Sequence, residues 1–202
     1  MFRNLFKSVE QQKFAKISLI CNVFSGLENS LSTNCLFDAM MLDPVTGIAS
    51  TYLARDAVSN ISSLYVLNRW SDKIDSKPHK SLIHSQIFHQ IAVMSDISTL
   101  FINSSLIIPV SGVGNVGRSI SWITIGSLNA KKIQDLAPDN IGEMYSKTAM
   151  VNTIGQSIGT ILGLVVIKIF PDKHVQIGLI PFISIIRIKL YSLLFKKLNL
   201  NE

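Results

Sequence analysis

Gly112, Gly114 and Gly117 stand in the order Gly-Val-Gly-Asn-Val-Gly. In a dinucleotide-binding fold that spacing makes a tight turn and lets the backbone approach a pyrophosphate. Such chemistry needs a parallel strand before the first glycine, and Pro109 stands where that strand must donate to its ladder. No regular strand–helix–strand alternation surrounds the motif, so a glycine-rich break between apolar helices accounts better for the same residues. A soluble nucleotide-binding enzyme built on residues 112–117 is thus the least favoured of three readings. His79, His84, His89 and His174 make no HxxxH or HExxH pattern, and Cys21 and Cys35 read as buried free thiols. No Ser-His-Asp order, phosphate loop or paired carboxylates can be assembled. The sequence predicts no catalytic residue, no cofactor site and no metal site.

A different chemistry is suggested by polar residues in apolar surroundings. Between Ser81 and Ala130 only Asp96 and Arg118 carry a formal charge, and Asn152 and Gln156 lie in a stretch, Thr148 to Ile167, that carries none. Polar groups at membrane depth pair with one another, join helices by hydrogen bonds, or line a route for a solute. Asp96 and Arg118 are expected to pair or to face a cavity. The amides are expected to bond between helices. Gly155, Gly159 and Gly163 recur every fourth residue, which stacks them on one helix face and lets a second helix approach closely. That helix partner belongs either to the same chain or to a second copy.

These residues must be held by long helices. Only 16% of residues are charged, 48% are hydrophobic, and the mean hydropathy is +0.36. A soluble helix needs charge on its solvated face, and the two stretches above lack it. Twenty helical residues reach about 30 Å, so Thr148–Ile167 is long enough to cross a bilayer. The expected fold is all-α, a helical integral membrane protein with three to five membrane-embedded or re-entrant helices. Residues 1–16 form a basic amphipathic segment, compatible with a transit peptide, and residues 196–202 a basic tail. Helices are expected over 17–42, ending before Asp43-Pro44, and from about Val45 to Trp70. Residues 71–80 read as the clearest loop, residues 81–112 as a helix broken near Pro109, and 112–130 as a further apolar element. Val175–Ile186 is too short to span unless it uses the side chains beyond Arg187, and reads as a tilted or re-entrant segment with Arg187 and Lys189 reaching towards headgroups.

The net charge of +6 is not spread as a stripe interleaved with aromatics. It flanks apolar stretches, which favours anionic headgroups over nucleic acid. The expected partner is the lipid bilayer. Lys147 and Lys168 bracket the best span almost evenly, so orientation is not set by sequence. Plastid, mitochondrial and endoplasmic-reticulum placement fit the basic start alike.

From Tyr52 onwards the order of features resembles the root UV-B sensitive family. Asn140-Ile-Gly-Glu143-Met-Tyr-Ser-Lys147, running into Thr-Ala-Met-Val-Asn-Thr-Ile-Gly, is similar to that family's Asn-x-Ala-Asp-x-x-Ala-Lys block and the apolar helix behind it. Leu53-Ala-Arg55-Asp56 is similar to its Leu-(Lys/Arg)-Asp block, and Gly114-Asn115 to a Gly-Asn block. The resemblance extends over residues 17–195 as one helical membrane domain. Glu143 replaces the family's Asp, and Val151-Asn152 replaces a Gln-Glu pair, which marks a divergent, short member. The resemblance implies a membrane protein linked to vitamin B6 homeostasis with no established reaction. The expectation is a non-enzymatic scaffold or interaction role, with a small-molecule transporter as the alternative.

Overall fold

The computed structural model describes residues 5–41 and 48–195; the expected helix end at Asp43-Pro44, the start near Val45 and the tail 196–202 lie outside them, as do some side chains between 48 and 75. All regular structure among the described residues is helical: α1 (Val9–Met41), α2 (Ile48–Ser76), α3 (Pro78–Ser98), α4 (Ile107–Leu136), α5 (Ile141–Ile169) and α6 (Lys173–Phe195), with short 3₁₀ turns at Thr99–Phe101, Ser104–Leu106 and Pro138–Asn140. The chain divides into two compact units. One comprises Met1–Ser30 with Ser127–Glu202, the other Leu31–Gly126, so α1 and α4 contribute to both.

Three boundaries differ from the sequence reading. The polar stretch 71–80 is not a loop: α2 runs to Ser76 and α3 starts at Pro78. Proline at the first helical position has no N–H to lose and is preset for helical φ, so a helix can begin there. Exposed Asp72 and Lys73 are simply a solvated helix end. The glycines at 112, 114 and 117 interrupt nothing, because α4 runs through them and the break lies earlier, at 99–106. Pro109 falls in the first turn of α4, where a missing N–H costs little. α6 does not stop before Arg187 but continues to Phe195, 23 residues in all.

In the first unit α1 and α5 lie side by side and parallel. Ser18 donates to Asn152 Oδ1 at 2.6 Å near one end, and Ser30 approaches Thr160 O at 3.5 Å further along. α6 returns antiparallel, with Tyr191 beside Ser25 and Ser184 beside Glu28. The turn between α5 and α6 is closed by Asp172, whose Oδ1 accepts from the His174 N–H at 2.8 Å. Gln176 Nε2 adds a bond to Phe170 O at 2.7 Å.

The buried stripe of α5 is Met144, Thr148, Val151, Gly155, Gly159 and Gly163, spaced three or four apart as one helix face requires. Its opposite face exposes Ile154, Ile158, Ile161, Leu162, Leu164 and Val165. α6 buries a mixed face, Gln176, Ser184 and Arg187 together with Ile180, Ile183, Tyr191, Leu194 and Phe195, and exposes Phe182, Ile185, Ile186 and Ile188. Only α5 turns its smaller side inward; both helices leave a broad apolar face uncovered. Within the second unit, Leu36, Ala39, Met40 and Ile107 form an apolar cluster with Leu100 against it.

Candidate functional sites

The second unit gathers two arginines around one carboxylate. Asp96, on the face of α3 that also buries Ala92 and Val93, is fully buried. Arg118 of α4 reaches its Oδ2 at 2.5 Å, and Arg55 of α2 its Oδ1 at 3.5 Å. Asn115, one helical turn before Arg118, donates to Asp56 Oδ1 at 3.1 Å and to the Arg55 carbonyl at 3.3 Å. The glycines set this geometry. A Cβ on Gly114 would lie 2.8 Å from Ser95 Cβ, and one on Gly117 2.7 Å from Phe88 O, so α4 touches α3 backbone-close beside Asp96. The formal GxGxxG is therefore a packing device within a continuous helix and not a strand–turn–helix phosphate loop. The structure brings together Asp96 and Arg118, and adds Arg55 and Asp56 from the Leu-Ala-Arg-Asp block.

A double-mutant cycle on Asp96→Asn and Arg118→Gln is expected to show a coupling of about 1–3 kcal/mol in stability, as for residues sharing one buried network. Thermal unfolding of the four proteins in detergent measures it. Additive losses would mean that the 2.5 Å approach contributes nothing specific.

The first unit holds a second buried pair that the sequence reading missed. Arg187 Nε lies 2.6 Å from Glu28 Oε2, both side chains all but inaccessible. Ser184 Oγ is within hydrogen-bond reach of both Glu28 Oε1 and Ile180 O, its single proton serving one at a time. The Arg187 guanidinium also stands 5.9 Å from the Tyr191 ring centre, near enough for a cation–π contribution. Tyr191 in turn is within 3.3 Å of Ser25 Oγ. Arg187 therefore does not reach towards headgroups. Its fork is turned into the helix contact because a carboxylate waits there on α1. The signal was present: Glu28 is the only acid between Glu10 and Asp38.

Asn152 and Gln156 sit half-buried on α5 among the glycines. Asn152 accepts from Ser18, and the Gln156 carbonyl lies where a Cβ on Gly26 would be, 2.5 Å away. Both belong to the α1–α5 contact. The helix against Gly155, Gly159 and Gly163 is α1 of the same chain.

Asn140, Glu143 and Lys147 of the resembling block line a small cleft of about 170 Å³ with Lys7, Gln11 and Pro138. Glu143 is bonded by Lys147 at 2.7 Å and faces Lys7 at 3.7 Å. Gln11 Nε2 donates to Leu136 O at 3.1 Å, which ties the start of α1 to this turn. The pair is exposed, so it is worth little to stability. Its place in the first turn of α5, where a carboxylate suits the helix dipole, is a positioning role.

Residues 8–201 match the family model of the vitamin B6 photo-protection and homoeostasis domain. RUS family member 1 of Dictyostelium discoideum is 23% identical over 167 residues, which cover 80% of this chain and 31% of that protein. The chain thus spans about a third of the length of this relative. No solved structure matches it.

Proposed function

Because the chain belongs to the root UV-B sensitive family, defined by the vitamin B6 photo-protection and homoeostasis domain, we propose that it acts as an integral membrane protein of that type, performing no chemistry itself and serving as a scaffold or interaction partner. The observation that carries this reading is the broad apolar face that α5 and α6 each leave uncovered. The two are long and apolar enough to cross a bilayer, with mean hydropathies of 1.6 and 1.8, and only 22% and 33% of those stretches are buried. Such helices in a soluble core would be mostly covered. Here Ile154, Ile158, Ile161, Leu164, Phe182 and Ile185 face outward, while the covered faces hold the three glycines of α5 and, in α6, Gln176, Ser184 and Arg187 among apolar neighbours. Hydrocarbon as solvent favours that distribution, since lipid accepts apolar side chains and rewards close backbone approach elsewhere.

In this reading α5 and α6 are the spans, joined by the short turn at 170–172, and α1 packs along them through Gly26 and Glu28. The link to vitamin B6 homeostasis is carried at the family level, and a scaffold role supplies it without a catalytic site. Carbonate extraction of tagged full-length protein tests integration. The chain is expected in the pellet at pH 11 and in the supernatant only after detergent. Release by carbonate alone would overturn the reading, and fractionation of the same sample assigns the compartment.

A further inference from the structure

A groove of about 570 Å³ opens on the first unit where α1 begins and where α4 and α6 end. That size falls within the roughly 300–1,000 Å³ of small-molecule sites. Phe14, Ile17, Leu136 and Leu193 make apolar walls, and Lys13, Lys132 and Glu10 supply the polar groups. Leu193 is also half exposed on the outer surface of α6, so the groove is continuous with the face that the membrane reading gives to lipid.

Charge is uneven between the two ends of this unit. The contacts of α1 with the α4–α5 turn place Lys7, Lys13, Lys16, Lys131, Lys132 and Lys147 at the groove end, outnumbering Glu10, Asp135, Asp139 and Glu143. The opposite end, at the α5–α6 turn, carries Lys168 and Lys173 with Asp172. Sequence order alone hides the asymmetry, because these lysines come from three separate segments. Basic pockets beside membrane helices attract anionic headgroups, and the lysine-rich end is the one that the positive-inside rule directs to the cytoplasmic side or its organellar equivalent.

We propose that this groove binds one anionic phospholipid, its acyl chain against Phe14, Ile17 and Leu193 and its phosphate at Lys13 and Lys132. The proposal rests on the membrane reading of α5 and α6. The apolar walls select an amphiphile over a free phosphate, and the lysines select an anionic headgroup over a zwitterionic one. The chain enters from the hydrocarbon beside the end of α6, so no water-filled path is needed.

The test uses the full chain with Trp70→Phe and Trp122→Phe, reconstituted in phosphatidylcholine vesicles. A reporter is placed in the groove as Leu193→Trp, or as Val9→Trp on the facing wall should the first variant misfold. A control reporter is Phe182→Trp on the exposed face of α6. Quenching by brominated-chain phosphatidylglycerol is compared with quenching by brominated-chain phosphatidylcholine. The groove reporter is expected to prefer phosphatidylglycerol roughly fivefold, the factor that one lysine contributes near an anionic surface, while the control shows no preference. Lys13→Glu is expected to bring the groove ratio to about one. Equal quenching by the two lipids at both positions, the same preference at both, or a preference that survives Lys13→Glu would overturn the lipid site and leave integration intact. Quenching by neither lipid at either position would overturn the membrane reading itself.

Discussion

Arg187→Met is expected to destabilise the protein by about 3–5 kcal/mol, because it strands the Glu28 carboxylate in a helix contact with no cation beside it. Both side chains are fully buried and 2.6 Å apart, so solvent screening offers no relief. For a chain of this length the loss corresponds to a fall in melting temperature of roughly 6–20 °C. The companion variant Glu28→Met/Arg187→Met should recover most of the loss, since two apolar side chains of similar volume remove the desolvation cost along with the attraction. Arg187→Lys should fall between, because a lysine keeps the charge but not the planar fork beside Tyr191. Melting curves of the four proteins in one detergent decide the matter. A loss below about 1 kcal/mol for Arg187→Met is the behaviour of an exposed interfacial arginine and would contradict the buried pair.

That pair also shows where sequence reasoning stopped. The all-helical fold and the long apolar helix α5 were legible because missing charge and four-residue glycine spacing are local signals: Thr148–Ile167 lies wholly inside Ile141–Ile169. Arg187 was misplaced because its partner sits at the other end of the chain, and no period in α6 announces Glu28. Proximity to a headgroup and proximity to a buried acid look identical in one dimension. The polar run 71–80 failed for a different reason. Solvated helix ends and loops share a composition, and only Pro78, read as the first residue of a helix, separates them.

The charged cluster in the second unit was partly legible. Asp96 and Arg118 stood out as the only charges in fifty residues, which forces the question of a partner. Arg55 came from a separate block of the family resemblance and carried no hint that it shares the same carboxylate. The helix that places it, α2, reads from its own residues as either amphipathic or buried with Arg55 and Asp56 inside. Its contribution emerges only once Gly114 and Gly117 bring α4 against α3. The functional consequence is specific. Two arginines on one aspartate, with Asn115 bridging to Asp56, fix α2, α3 and α4 to a single register within that unit.

Gly159→Leu is expected to be at least as damaging as loss of Arg187, costing about 3 kcal/mol or more through forced separation of α1 and α5. A Cβ at this position would run into the Val23 carbonyl oxygen and lie 2.9 Å from the Leu27 amide nitrogen, and neither backbone atom can rotate away. Even Gly159→Ala therefore carries a clash. At Gly155 the Cβ would meet Leu19 O at 2.7 Å, and at Gly163 it would run into Ser30 Cβ. A Cβ is fixed to its backbone and no rotamer change moves it, so the alanine series should rank 159 worst, 163 next and 155 mildest. Gly178→Ala supplies the opposite sign. Nothing lies within 4 Å of its would-be Cβ, so relief of glycine's backbone entropy should stabilise α6 by about 0.5–1 kcal/mol. The sign difference between positions 159 and 178 separates contact from propensity. If alanine were tolerated equally at both, the glycine face would not be what holds α1 against α5. The apolar surface that α5 turns away from α1 would then be the better candidate for its helix contact.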